Sequence, residues 1–522
     1  MRTTQLALCL CVAASGCAAD YDMSGGADTG SWGDWGTDTS PGTGSDGDSA
    51  ADGATPGEVE SDFLSLSPAQ TERYVFVANA TRDTLTRIDV DTRDVRTVPV
   101  GRKPAQVLAS PDGSQAIVFN SLGDSVSFVD AETLVVTTVP VRPKLNAMDI
   151  SPDGGWIALW HDAAGPATTT GGLQSFNEVS FINVATHAHV PMAVGYNPKS
   201  VVFTPDGATA AVLTDDSLAI IDLTVATPTP RMVQLTTGAG DPLTAEEMLL
   251  SPDGTWAFIR QLGVSQLVVV DLISRTRSEV LLSSEATDLD LSPTGDVLTV
   301  MCREAEELWA FDPNDPLDTV PTITPLPTGL AFGALLFMPD GDAAAIYTTA
   351  TPVARYAMWD VTTGQLDVRA LVKPVRILSA SPDGATLLAF HPRTDAPDAD
   401  PASPFTNKFA VTIIDRFGGR TNPLLLPAEP RGYAHDPSGD RGYFILYNRL
   451  DLDVVDYRTL LHDEIGVAST PVYLGALPTG PGGEPRVWVS QEHPLGRLSF
   501  VNPVAATVQT ITGFELNSAI ED

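Results

Sequence analysis

The chain has 522 residues, with 66 acidic against 30 basic side chains and a formal net charge of −36. That balance excludes nucleic acid as a partner, because neutralising phosphates needs Lys and Arg. Charged residues are only 18% of the chain and stand beside 43 Gly and 41 Pro, the composition of a turn-rich β protein with an acidic surface.

Residues 1–17 predict an export signal: Arg2 is a short positive region, 6–14 an apolar core, and Ala14-Ser15-Gly16-Cys17 a small-residue close. The core is too short to span a bilayer. The close resembles the lipobox of bacterial lipoproteins, which implies acylation of Cys17. Ala14 stands where that pattern more often has Leu, so ordinary secretion with cleavage nearby stays open. Ala18, and not Asp, follows the cysteine, which by the same resemblance favours the outer membrane of a bacterial envelope. With Cys9 and Cys11 removed and Cys17 acylated, Cys302 is left as a lone thiol, expected to be buried and inert after the apolar run 297–301.

Residues 18–62 contain no Lys or Arg and little that is apolar, which predicts a disordered acidic linker. From 63 to 512 a phrase recurs every forty to fifty-five residues: Ser110-Pro111-Asp112-Gly113, then copies beginning at Ser151, Thr204, Ser251, Ser292, Met338, Ser381 and Asp436. Degenerate copies at Ser67 and Leu477 bring the count to ten. Each unit carries four strand-length runs, such as 106–109, 115–119, 125–129 and 134–139, separated by turn residues. The third run repeatedly ends in Asp or Asn: Asp89, Asp130, Asn183, Asp222, Asp271, Asp312, Asp360, Asp415, Asp456 and Asn502. Recurrence at a turn assigns these groups to turn initiation and not to catalysis.

Tandem four-stranded units without helices predict an all-β protein, a β-propeller of about ten blades, with 513–522 as a C-terminal tail. One large ring and two smaller rings both fit the count, and the short connections favour one. Residues 74–101, YVFVANATRDTLTRIDVDTRDVRTVPVG, followed by RKPAQVLASPDGSQAIVFN, resemble the YVTN-repeat propeller family. The match is close over two units and thins to turns and strands thereafter. It implies the fold and no particular activity.

No Cys-x-x-Cys-His and no His-Glu-x-x-His occurs, which excludes covalent haem of the c type and zinc hydrolases of that pattern. His187 and His189 are two ligands without a third. His161 and His391 open the long insertions of the third and eighth units, 161–178 and 391–408, and are read as capping those loops. The five lysines follow a pattern. Lys103, Lys144, Lys199 and Lys373 flank a proline between one unit's last strand and the next unit's first, and Lys408 closes the second insertion. With Arg102, Arg142, Arg376 and Arg431 they predict a basic crescent at one channel mouth, interrupted by Glu246, Glu247, Glu285 and Asp288. The expected partner there is a protein or an anionic ligand.

These features favour a non-catalytic, envelope-anchored binding or scaffold propeller with no cofactor and no metal ligands assigned. The alternative is a lactonase- or quinoprotein-like enzyme with a metal such as calcium in its channel, which would require Asp, Glu and Asn to converge near the axis.

Overall fold

The computed structural model describes residues 68–162, 177–235 and 245–517, with the backbone of 520–521. The signal, the linker and most of the third unit's insertion lie outside them.

The repeated phrase closes the first hairpin of every unit but the first, where Ala69–Gln70 of the degenerate copy form the first strand and the turn follows at 71–73. Ser110 Oγ donates to Asp112 Oδ1 (2.6 Å) and accepts from the Gln115 N–H (2.9 Å), while Asp112 Oδ1 accepts from the Ser114 N–H (3.0 Å). Gly113, at φ 68°, completes the turn by donating to the Ser110 carbonyl at 2.8 Å. The Ser or Thr to Asp bond recurs at Ser151–Asp153, Thr204–Asp206, Ser251–Asp253 and Ser381–Asp383. In the ninth unit Asp436 replaces the serine and accepts from Ser438 and from the Tyr443 hydroxyl.

The residue ending the third strand starts the next turn in every unit. Backbone N–H groups two or three positions on donate to the side-chain oxygens of Asp89, Asp130, Asn183, Asp222, Asp271, Asp312, Asp360, Asp415, Asp456 and Asn502. Two local devices, repeated, cut the chain into strands of four to seven residues in nearly every unit.

The strands form ten antiparallel sheets in sequence order, arranged as one ring: blades 69–99, 104–140, 147–193, 200–234, 245–281, 288–325, 334–370, 377–426, 430–466 and 471–512. First strands of successive blades touch, so they are innermost. The sole helical turn among the described residues is a 3-10 turn, Phe514–Leu516. The expectation of about ten four-stranded units in a single ring is met.

Alternation places one side of each sheet against the preceding blade and the other against the next. Phe119, Phe128, Met148 and Leu159 fill the seam between blades 2 and 3, and Leu218, Ile220, Met248 and Ile259 the seam between blades 4 and 5. Each sheet is therefore apolar on both sides.

The ring closes without exchanging a strand. Val75 and Ile88 of blade 1 pack with Leu477, Trp488 and Phe500 of blade 10 and with Phe514 beyond it. Gln70 donates to the Ala476 carbonyl (2.9 Å) and accepts from Trp488 Nε1. The Phe514 carbonyl accepts from Thr97 Oγ1 at 2.8 Å. Residues following 512 thus run on into the seam, and Ile520–Glu521 add a fifth strand to the outer edge of blade 10.

Candidate functional site

With strands running inner to outer, the turns after first and third strands open on one face of the disc. The connections between blades and the loops after second strands open on the other. Lys103, Lys144, Lys199 and Lys373 lie in inter-blade connections and Lys408 in the loop after blade 8's second strand, all on that second face.

Most of these cations have a specific structural partner. Lys373 is 1% exposed; its Nζ donates to the carbonyls of Arg393 (3.0 Å) and Phe405 (3.3 Å) and to the Asp395 carboxylate. It is the internal anchor of the 392–408 loop. Lys199 Nζ reaches the Ala245 carbonyl of the next blade at 3.0 Å and Asp215 at 3.4 Å. Arg376 pairs with Glu429, and Arg431 with the Pro471 carbonyl (3.1 Å) and Glu492 (3.4 Å). Arg142 pairs with Glu178 at 3.2 Å. Arg102, Lys103 and Lys408 are exposed, and Lys144 is half-buried.

Residues of other chemistry share this tying role. Gln106 donates to the Met148 carbonyl (3.1 Å), Thr287 to the Gly333 carbonyl (2.7 Å), and Asp288 accepts from the Leu335 N–H (2.6 Å). Each bond runs from the start of one inner strand to the next blade. Of the acids expected to interrupt the crescent, Glu247 pairs with Arg260 of its own blade (3.0 Å), Glu285 accepts from the Gly263 N–H (2.7 Å), and Glu246 is exposed.

The histidines are structural. His161 and His391 bond through Nδ1 to the Lys144 and Pro374 carbonyls (2.9 and 2.8 Å), the same offset in two blades five apart. A carbonyl only accepts, so Nδ1 carries the proton. His391 Nε2 then accepts from Thr412 Oγ1 at 2.7 Å. Burial pushes the His391 imidazole down to about 4, which keeps it neutral. His187 packs tilted against Phe128, the ring centroids 4.7 Å apart, and His189 bonds Ser180.

Sequence reading missed two constellations. Ser379 Oγ lies 2.8 Å from His435 Nε2, and His435 Nδ1 lies 2.7 Å from the Tyr457 hydroxyl. That is the spacing of a nucleophile beside an oriented base. Burial, however, pushes His435 down to about 4, too weak a base to serve near neutrality. The trio ties blade 8 to blade 9. The second is Asp453, His462 and Glu464, whose ligand atoms lie within 4.8 Å of one another. His462 Nε2 bonds Asp453 Oδ1 at 2.6 Å, which raises the imidazole pKa, and Arg449 reaches Glu464 at 3.1 Å. The arrangement is an ion-pair network on the outer strands of blade 9, away from the channel. His462-x-Glu464 on one side of a strand was the available signal.

Cys302 is fully buried and its thiol is pushed up to about 11 by burial. On the inner strand of blade 3, burial pushes the Asp149 carboxyl up to about 6, against one bond from the Ile150 N–H (2.8 Å).

No protein-family model matches the chain, and no curated protein matches it. Solved structures do. The crystal structure of a eukaryotic initiation factor is 13% identical, with a TM-score of 0.50, covering 76% of this chain and 97% of that one. Dihydro-heme d1 dehydrogenase NirN in complex with DHE is 15% identical, with a TM-score of 0.42, covering 69% and 74%. The β-propeller domain of Cps50 (Swd1) from Myceliophteria thermophila is 14% identical, with a TM-score of 0.31, covering 60% and 96%. At 13% identity the likeness to the initiation factor is one of fold alone, and the ten sheets in one ring make the chain a ten-bladed β-propeller.

Proposed function

We propose that this chain is a non-catalytic binding propeller of the YVTN-repeat kind, displayed from a bacterial outer membrane through an acylated Cys17. The observation that carries the reading is how the reactive side chains are used. Ten strand-end Asp and Asn residues initiate turns, and His161 and His391 cap loops. Cys302 is buried, Lys199 and Arg431 tie blades together, and Lys373 anchors a loop. What such a body offers a partner is its two faces.

On the lysine-bearing face Arg102, Lys103 and Lys408 are exposed cations, standing beside exposed acids such as Glu246, Asp398 and Asp400, and an anionic ligand or acidic protein surface is the partner those cations fit. The test is retention on immobilised heparin, used as a generic polyanion, for the wild type and for Arg102→Glu, Lys103→Glu and Lys408→Glu combined. Retention lost in the variant, with thermal unfolding unchanged, supports the reading; equal retention defeats it. Anchoring is tested separately by Cys17→Ser, which should abolish metabolic acyl labelling and release the protein from membranes.

A further inference from the structure

The opposite face carries the hairpin turns, and carboxylates crowd it: Asp112, Asp153, Asp206, Asp253, Asp340 and Asp383 of the repeated phrases and the Asp residues that end most third strands open there together. On it lies a groove of about 590 Å³ between the outer strands of blade 7 and the third turn of blade 8. Asp342, Asp360 and Asp367 line it from blade 7, and Arg416 and Phe417 from blade 8. The ring of Phe417 is 74% exposed at the rim, unusual for so large an apolar side chain.

The charges of the groove are uneven. The Arg416 side chain is 7% exposed and its guanidinium is occupied by Asp340 and Asp342 across the blade seam. Arg369 is held by Asp367 at 2.8 Å. The arginines are thus turned inward to neighbours, while the Asp342 and Asp367 side chains are 64% and 65% exposed. Four carboxylates, Asp340 included, face two arginines, and the surplus is negative. The Thr363 N–H and hydroxyl donate to Asp360 (2.7 and 2.8 Å) and hold its carboxyl below the usual range.

We propose that this groove docks an arginine- or lysine-bearing segment of a partner protein, the cation lying against Phe417 and bonding the Asp360 and Asp367 carboxylates. Arg416 already lies over one side of the Phe417 ring, its guanidinium carbon 5.0 Å from the centroid; the exposed remainder of the ring, beside carboxylates, suits a second cation through the ring quadrupole and through charge. The groove opens between two blades, with lining residues from both, a place where a segment of a partner chain can lie. The site lies on the face opposite the lysines, so its fate is independent of the polyanion reading above.

The test uses the full chain and a fluorescein-labelled Gly-Arg-Gly-Arg-Gly peptide, followed by fluorescence anisotropy, beside the same peptide with citrulline for arginine. Phe417→Ala should weaken binding about threefold to tenfold, and Asp367→Asn, which leaves Arg369 unopposed, should weaken it further. Asp318→Asn, an exposed acid of the same face outside the groove, should leave binding unchanged. Binding should also fall between about 50 and about 300 mM salt. Absence of binding, equal binding of the citrulline peptide, or an equal loss in Asp318→Asn and Phe417→Ala would each overturn the proposal, the last by showing a diffuse attraction to the acidic face.

Discussion

Lys373 and Asp395 form an ion pair in which the lysine side chain is 1% exposed and the aspartate 24%. A lysine this deeply buried is retained because a carboxylate and two carbonyls meet its ammonium. Lys373→Met should destabilise the protein by about 2–4 kcal/mol, since Asp395 loses its partner while staying partly wetted. Limited proteolysis should then cut within 392–408. An unchanged urea midpoint and an uncut loop would contradict the anchoring role.

Gly207 lies at φ 69°, and a Cβ there would sit 2.3 Å from Asp153 Oδ1 of the preceding blade's turn. That carboxylate is fixed by Ser151 and by the Gly155 N–H, so it cannot simply swing away. Gly263 has a similar φ, 76°, with nothing within 4 Å of the added atom. Gly263→Ala should therefore cost about 1 kcal/mol from backbone strain alone. Gly207→Ala should cost about 2–3 kcal/mol, strain and collision together. Equal losses in chemical denaturation would remove the stacking of turns from the account.

Asp149→Asn should leave stability at pH 7 unchanged or raise it by about 1–2 kcal/mol. Its carboxyl is raised to about 6 by burial, so the folded state holds the proton more tightly than the unfolded one. The group therefore favours folding below its unfolded pKa, and that contribution is lost as pH rises to about 6. Asparagine keeps the acceptor for the Ile150 N–H without the buried charge. A large destabilisation at pH 7 would mean that the carboxylate is needed ionised.

Acid should act in two stages. His391 and His435 are held near 4 by burial, so the unfolded chain takes up protons first and stability falls as pH drops from about 6.5 toward 4. Below that, the turn carboxyls follow. Ser110 and the Thr204 hydroxyl lower Asp112 and Asp206, and backbone N–H groups lower Asp130 and Asp415. Their stabilisation is present above the unfolded carboxyl pKa and is lost as pH falls through the folded values. Unfolding midpoints of Asp149→Asn, which lacks the opposing contribution of that carboxyl, measured from pH 7 to pH 3 check both stages; a flat profile above pH 4 in that variant would contradict the burial of the two imidazoles.

What could be read in advance was whatever the chain does within a few residues of itself. The turn at Ser110-Pro111-Asp112-Gly113 and the cap at Asp130 each use groups at most five positions apart, so their recurrence shows in the sequence. The blade count follows from them. The partners of the cations could not be read this way. Arg376 meets Glu429 53 residues on, and Lys373 meets Asp395 after the chain has crossed a whole hairpin. A lysine beside a proline looks the same in sequence whether it faces water or lies inside a loop. His435 and Ser379, 56 residues apart, meet only because successive inner strands lie side by side.

The seam between blades 1 and 10 gives the ring a start and an end. Every other blade interface joins sequence neighbours, so assembly can proceed along the chain with short excursions, each blade templating the next. The last joint brings Gln70 to Ala476 and Arg82 to Glu515, and the entropy of that long closure falls there alone. Because no strand is shared across it, the disc behaves as a clasped band and not as a welded hoop. Strain, heat or a prising partner would part it first at Phe514, leaving ten intact blades on an open arc.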